Sequence, residues 1–150
     1  MGSEMCIRDR GNGGDRFKAM IAHCGVFNLE SMYGSTEELF FVNHDLGGPY
    51  WSDPEVFKKY QQFSPHRFVK NWKTPLLVIH NELDFRVPLT QGLEAYTAAK
   101  VQNVPSRFLY FPDEGHWVQK PQNSILWSRV FYEWLDRFCK GDNEGESVDK

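Results

Sequence analysis

The sequence predicts an α/β fold in which parallel strands are joined by crossover helices and the sheet is incomplete. Three observations predict it. Short, nearly continuous apolar runs bounded by Gly or Pro read as strands covered on both faces. Segments with apolar groups at a helical period lie between and after them. Only three such strands occur in 150 residues, which is few for a doubly wound sheet.

Phe17-Lys-Ala-Met-Ile-Ala22, stopped by Gly25, is the first strand. From Phe27 to Trp72 the chain is broken by Gly34, Gly47-Gly-Pro49, Pro54 and Pro65, so short helices and loops lying over the sheet are expected. Asp53-Pro54-Glu55 marks a helix start, because Asp accepts from free backbone N–H groups and Pro is tolerated in a first turn. Pro75-Leu-Leu-Val-Ile-His80 is the second strand, and Arg107-Phe-Leu-Tyr-Phe111, ended by Pro112 and Gly115, is the third. Between them, Pro88 to Lys100 places Leu89, Leu93, Tyr96 and Ala99 on one stripe. That is a crossover helix, which makes strands two and three parallel with a right-handed connection. Asn123 to Lys140 repeats Ile125/Leu126, Val130/Phe131, Trp134/Leu135 and Phe138 at helical spacing, a final helix packed against the sheet.

The ends differ from the middle. Met1 to Arg10 lacks the apolar run of a signal peptide and joins the rest through Gly11-Asn-Gly-Gly14. Residues 1–14 read as a non-native or disordered lead, 15–140 as the folded unit, and 141–150, acidic with one apolar residue, as a disordered tail.

Composition narrows the partners. With 17 Lys+Arg against 20 Asp+Glu and a net charge of −3, no general affinity for nucleic acid or anionic membranes is expected. No stretch approaches the roughly 18 apolar residues of a membrane-spanning helix. Cys6, Cys24 and Cys139 form neither a disulfide framework nor a C-x-x-C, so they are expected to be buried free thiols. His23, His44, His66, His80 and His116 show no H-x-x-x-H spacing; no metal and no cofactor is expected. Cys24 follows His23 directly, and neighbours on a strand point to opposite faces, which argues against a Cys/His dyad. Compartment stays open.

In open parallel sheets, reactive groups collect in the loops that leave the carboxyl ends of the strands. Asp84 and His116 lie in two such loops, each roughly four or five residues beyond its strand. A carboxylate so placed can accept the Nδ1 proton of the imidazole and leave Nε2 as general base. The alternative for each is a turn residue or a bend with a satisfied imidazole. Arg86 either clamps a substrate carboxylate or pairs with Glu82 or Asp113; the pair is favoured. Trp117, with Phe27, Tyr33 and Trp51, either lines an apolar substrate pocket or is plain packing.

His80-Asn-Glu-Leu-Asp-Phe-Arg-Val-Pro88 followed by Phe111-Pro-Asp-Glu-Gly-His-Trp-Val118 resembles the end of the catalytic domain of the prolyl oligopeptidase family of serine peptidases, in its dipeptidyl-peptidase V and acylaminoacyl-peptidase-like branch. The likeness includes Ala22-His-Cys-Gly-Val-Phe27, Glu30-Ser-Met-Tyr-Gly34, Gly47-Gly-Pro49, Ser64-Pro-His66 and Lys120-Pro-Gln-Asn123, and spans about residues 15 to 138. It implies an α/β-hydrolase domain that follows a β-propeller and cleaves short peptides through a Ser-Asp-His triad, with Asp84 as acid and His116 as base. The sequence departs from the pattern in one respect: it contains no G-x-S-x-G nucleophile elbow. The family's elbow is expected just before the helix leading into Phe17. The chain therefore reads as the carboxy-terminal half of such a domain, inactive in isolation, with the upstream half and the propeller as its missing partners. An exposed sheet edge and aggregation of the isolated chain are expected. Two other readings are a non-catalytic interaction module built from a hydrolase fold, and a hydrolase of ester or lipid substrates.

Overall fold

The computed structural model describes residues 16–140; the predicted lead, the predicted acidic tail and Cys6 lie outside the described residues. In order, the elements are β1 (Met20–His23), α1 (Leu29–Tyr33), α2 (Leu39–Leu46), α3 (Pro54–Phe63), a 3-10 segment (Pro65–Asn71), β2 (Leu76–Asn81), α4 (Leu89–Val101), β3 (Ser106–Phe111) and α5 (Pro121–Cys139). The strands form one parallel sheet in the order β1-β2-β3. Ala22 sits beside Val78, Ile79 beside Leu109, and Asn81 beside Phe111. β2 and β3 therefore end at the same level, and the loops after them leave side by side.

The apolar run of β2 is buried along its whole length because the sheet is covered on both faces. Leu76 and Val78 point to one face, where they pack with Met20, Ala22 and with Ala95 and Ala99 of α4. Leu77 and Ile79 point to the other, against Leu109, Phe111 and Val130 and Trp134 of α5. A third cluster, Met32, Tyr33, Val42, Leu46, Val56 and Tyr60 with Val26 and Val87, ties α1–α3 to the loops at the carboxyl ends of β1 and β2.

The expected elements are all present, with ends moved by one to three residues. Asp53 caps α3 by accepting from the Glu55 and Val56 amides. The third strand departs from the expected two-sided burial: Arg107 and Tyr110 are exposed, because β3 is an edge strand among the described residues. Cys139 is also exposed rather than buried, since it ends α5.

One glycine shows how tightly α4 meets β2. A Cβ on Gly92 would stand 2.6 Å from His80 Nδ1 and 2.9 Å from its Cβ and Cγ, and His80 is fully buried. Gly in a helix interior costs about 1 kcal/mol relative to Ala, but here the added methyl group would have to displace the imidazole. Gly92→Ala is expected to destabilise by about 1–3 kcal/mol, against its helix propensity. Urea midpoints of the two proteins check this, and an unchanged or raised midpoint would contradict the close approach.

Candidate active site

Asp84 lies three residues beyond the end of β2, in a turn that its own side chain closes. Its Oδ1 accepts from the backbone N–H of Val87 at 2.9 Å and of Arg86 at 3.1 Å, the local geometry for which Asp is suited. This leaves Oδ2 facing the neighbouring loop, where His116 Nδ1 lies 2.9 Å away. The Asp84 side chain is fully buried and that of His116 is 23% exposed. A carboxylate only accepts, so His116 Nδ1 carries the proton and Nε2 is left as the basic nitrogen. Nε2 has no hydrogen-bond partner among the described residues.

The loop after β3 is fixed from several sides. Asn81 Nδ2 donates to the Gly115 carbonyl at 2.6 Å, and the Leu83 amide donates to the Glu114 carbonyl at 3.0 Å. The Glu114 side chain, 3% exposed, accepts from the amides of Gln119 and Lys120 and from Asn123 Nδ2 at 2.7–3.1 Å. Cys24, just past β1 at φ 48°, directs its thiol to the His116 carbonyl at 3.6 Å, with its sulfur within 4.8 Å of the Asp84 carboxylate. Cys24 therefore belongs to this site, although it followed His23 in a segment read as strand. It lies beyond β1, where the alternation of faces no longer applies.

Electrostatics favour a charged Asp84 among neutral neighbours. Burial alone would raise the Asp84 carboxyl, but hydrogen bonds from His116, Val87 and Cys24 outweigh it and hold it below the ordinary carboxylate range. Burial, followed by the Asp84 charge, pushes the Cys24 thiol up, so it stays protonated. Burial also lowers His80 and His66. His23 is lowered to about 4, by burial first and then by His80 and His116.

Cys24, His80 and Asp84 bring one potential metal ligand each within 4.8 Å of one another. Their atoms are already engaged: the thiol is protonated, His80 Nε2 meets the Val87 carbonyl at 2.8 Å, and both Asp84 oxygens accept hydrogen bonds.

Beside His116 opens a cavity of about 470 Å³ lined by Met32, Phe40, Phe41, Val87 and Trp117, with Glu38 and Arg86 at its wall. Phe40, Phe41 and Trp117 are 73%, 54% and 62% exposed, an apolar surface open to a ligand. Of the four aromatics singled out in the sequence, only Trp117 lies here. Phe27 is in the core, Tyr33 is buried, and Trp51 packs edge-on against Tyr33 and Tyr50. Arg86 does form an ion pair, but with Glu38 at 2.7 Å rather than with Glu82 or Asp113. The turn at Asp84 carries it toward α2, where Thr36 Oγ1 donates to the Arg86 carbonyl and the Glu37 amide to that of Phe85. Phe40 and Phe41 escaped sequence reasoning because an apolar pair in a helix ordinarily signals core.

The chain can now be placed among known proteins. It is similar to the uncomplexed acylaminoacyl peptidase of Pyrococcus horikoshii, with a TM-score of 0.82 at 26% identity over 98% of this chain and 24% of that one. Its three parallel strands and flanking helices are those of an α/β-hydrolase domain. The model of the prolyl oligopeptidase family matches residues 9–142, and the chain belongs to that family. It is 50% identical over 131 residues to dipeptidyl-peptidase 5 of Porphyromonas gingivalis, covering 87% of this chain and 19% of that protein. It is 39% identical over 133 residues to dipeptidyl-peptidase 5 of Schizosaccharomyces pombe, covering 89% and 19%. The chain thus spans about a fifth of the length of these curated relatives.

Two expectations follow from the site. Asp84→Ala leaves two amides and an imidazole without their acceptor and should cost about 1–3 kcal/mol for each donor left buried and unpaired, read as a fall in the urea midpoint. The second concerns pH. The unfolded chain takes up protons that folded His23, with its value lowered from 6.5 to about 4, refuses. Its contribution is therefore complete above about pH 6.5 and declines toward pH 4, on the order of 3 kcal/mol in all. The depressed Asp84 adds a loss of the same sign at lower pH. Stability followed from about pH 7.5 to about 4.5 should fall more steeply for the wild type than for His23→Gln; parallel curves would show that His23 titrates normally.

Proposed function

We propose that this chain supplies the acid and the base of a serine peptidase that cleaves short peptides. Asp84 is the acid and His116 the base, and the nucleophilic serine is carried by residues outside the chain. The observation that supports it most is the 2.9 Å contact between a fully buried carboxylate and His116 Nδ1, with Nε2 left without a partner among the described residues beside an apolar cavity. The names of the relatives, dipeptidyl-peptidase 5 and acylaminoacyl peptidase, support short peptides as the substrate class.

In this reading Nε2 removes the proton from the serine hydroxyl as its oxygen attacks the scissile carbonyl. Asp84 stabilises the resulting imidazolium and holds the ring in place. His116 then passes the proton to the departing amine, water enters, and the same cycle releases the acyl group. Trp117, with Phe40 and Phe41, forms the wall against which an apolar substrate side chain packs.

The serine-bearing segment docks at the edge of β1 that pairs with no strand among the described residues. There His23 Nε2 and Trp127 Nε1, their rings 5.8 Å apart, are buried without hydrogen-bond partners among the described residues, and Ile21 is only half-buried. The upstream half of the domain, with the propeller before it, is the partner this edge fits.

A fluorophosphonate probe tests the assignment. The 150-residue chain should stay unlabelled, and a version extended upstream should label at one serine outside the present chain. Labelling of the short chain at one of its own serines would overturn the proposal, as would an extended protein that never labels. In the extended protein, Asp84→Asn should lower kcat by about 10⁴, and Trp117→Ala should lower kcat/KM for an aromatic peptide about 10-fold or more. Hydrolysis of simple esters without cleavage of aminoacyl peptides would reassign the substrate class.

A further inference from the structure

We propose that His80 is a positioning residue for the Asp84–His116 pair, acting through Val87. The inference rests on the acid–base reading above and deepens it.

His80 is the penultimate residue of β2 and is fully buried. Its Nε2 lies 2.8 Å from the Val87 carbonyl oxygen; a carbonyl only accepts, so Nε2 carries the proton and donates. The N–H of the same Val87 donates to Asp84 Oδ1 at 2.9 Å. Val87 is therefore pinned at both ends, its carbonyl by His80 and its amide by the carboxylate. The Arg86 amide, one residue before, is aimed at the same oxygen. His80 Nε2 is 3.9 Å from Asp84 Oδ2, too far for a hydrogen bond, so it leaves that oxygen to His116.

Packing alone does not account for an imidazole here. Its Nδ1 faces Gly92 and has no hydrogen-bond partner among the described residues, and an idle buried polar atom is unfavourable. A phenyl ring would fill the same space without that cost. What an imidazole adds is the donor to Val87. The absence of a side chain on Gly92 also fixes the ring: with helix backbone against one side, it has no room to turn away from the loop. Burial keeps His80 neutral, so it fixes the turn without placing a second positive charge beside Asp84.

The test is nuclear magnetic resonance on histidine-labelled protein extended upstream, in which the edge of β1 is covered. The wild type should show His80 as the Nε2–H tautomer and a downfield Nδ1 proton on His116. His80→Phe should lose that His116 signal and move the Asp84 titration up toward the ordinary carboxylate range. His80→Gln, whose amide nitrogen reaches the Nε2 position, should restore both. A folded His80→Phe protein that keeps the His116 signal overturns the proposal, and so does loss of the signal in both variants. An Nδ1–H tautomer of His80 in the unmodified chain overturns it too, a readout that holds even where the phenylalanine variant does not fold. A wild type that lacks the His116 signal removes the Asp84–His116 reading itself.

Discussion

A carboxylate with no exposure to water must be surrounded by donors, and the arrangement around Asp84 follows from that requirement. Two backbone amides occupy one of its oxygens, the imidazole of His116 occupies the other, and the Cys24 thiol adds a further contact. These donors come from three different segments, which follow β1, β2 and β3. Satisfying one buried charge therefore joins the three strand ends. The sheet supplies the means: with Asn81 level with Phe111, loops of three and five residues bring the two side chains together.

The ground beneath this contact is apolar. β2 is buried on both faces, between α4 and α5, so the strand from which Asp84 departs is the most completely buried of the three. The polar residues buried near its end have structural tasks. Asn81 holds the His116 loop by donating to its backbone and Glu114 by accepting from it, and Gln91 Oε1 accepts from the Phe27 and Asn28 amides just after β1. The bond from the Phe27 amide to Gln91 is buried and the others are partly so, so losing one partner leaves the other poorly paired.

Such burial also sets the charge states. Cys24, His23 and His80 surround Asp84 closely, and each is held in its neutral form by desolvation. None of these three opposes the negative charge of Asp84 with a positive one, and its hydrogen-bonded ring partner is the imidazole of His116. An imidazolium at His116 would be stabilised by that carboxylate, which is the property general-base action requires. A second cavity of about 560 Å³, lined by Lys100, Arg107, Glu133 and Arg137 beside Trp134, sits at the opposite end of β3 from His116.

The sequence by itself determined the three strands, the crossover and final helices, and the meeting of Asp84 with His116. Those depend on local periodicity and on the rule that adjacent parallel strands end side by side, both legible in one dimension. It could not determine that Arg86 turns toward Glu38, that Phe40 and Phe41 face solvent next to Trp117, or that Cys24, Glu114 and His80 support the pair. Such contacts join residues far apart in the chain, and each is decided by where a loop turns after its strand ends. An apolar or ionisable side chain carries no mark of the partner it will meet; only the packing of α1–α3 over the strand tips selects that partner.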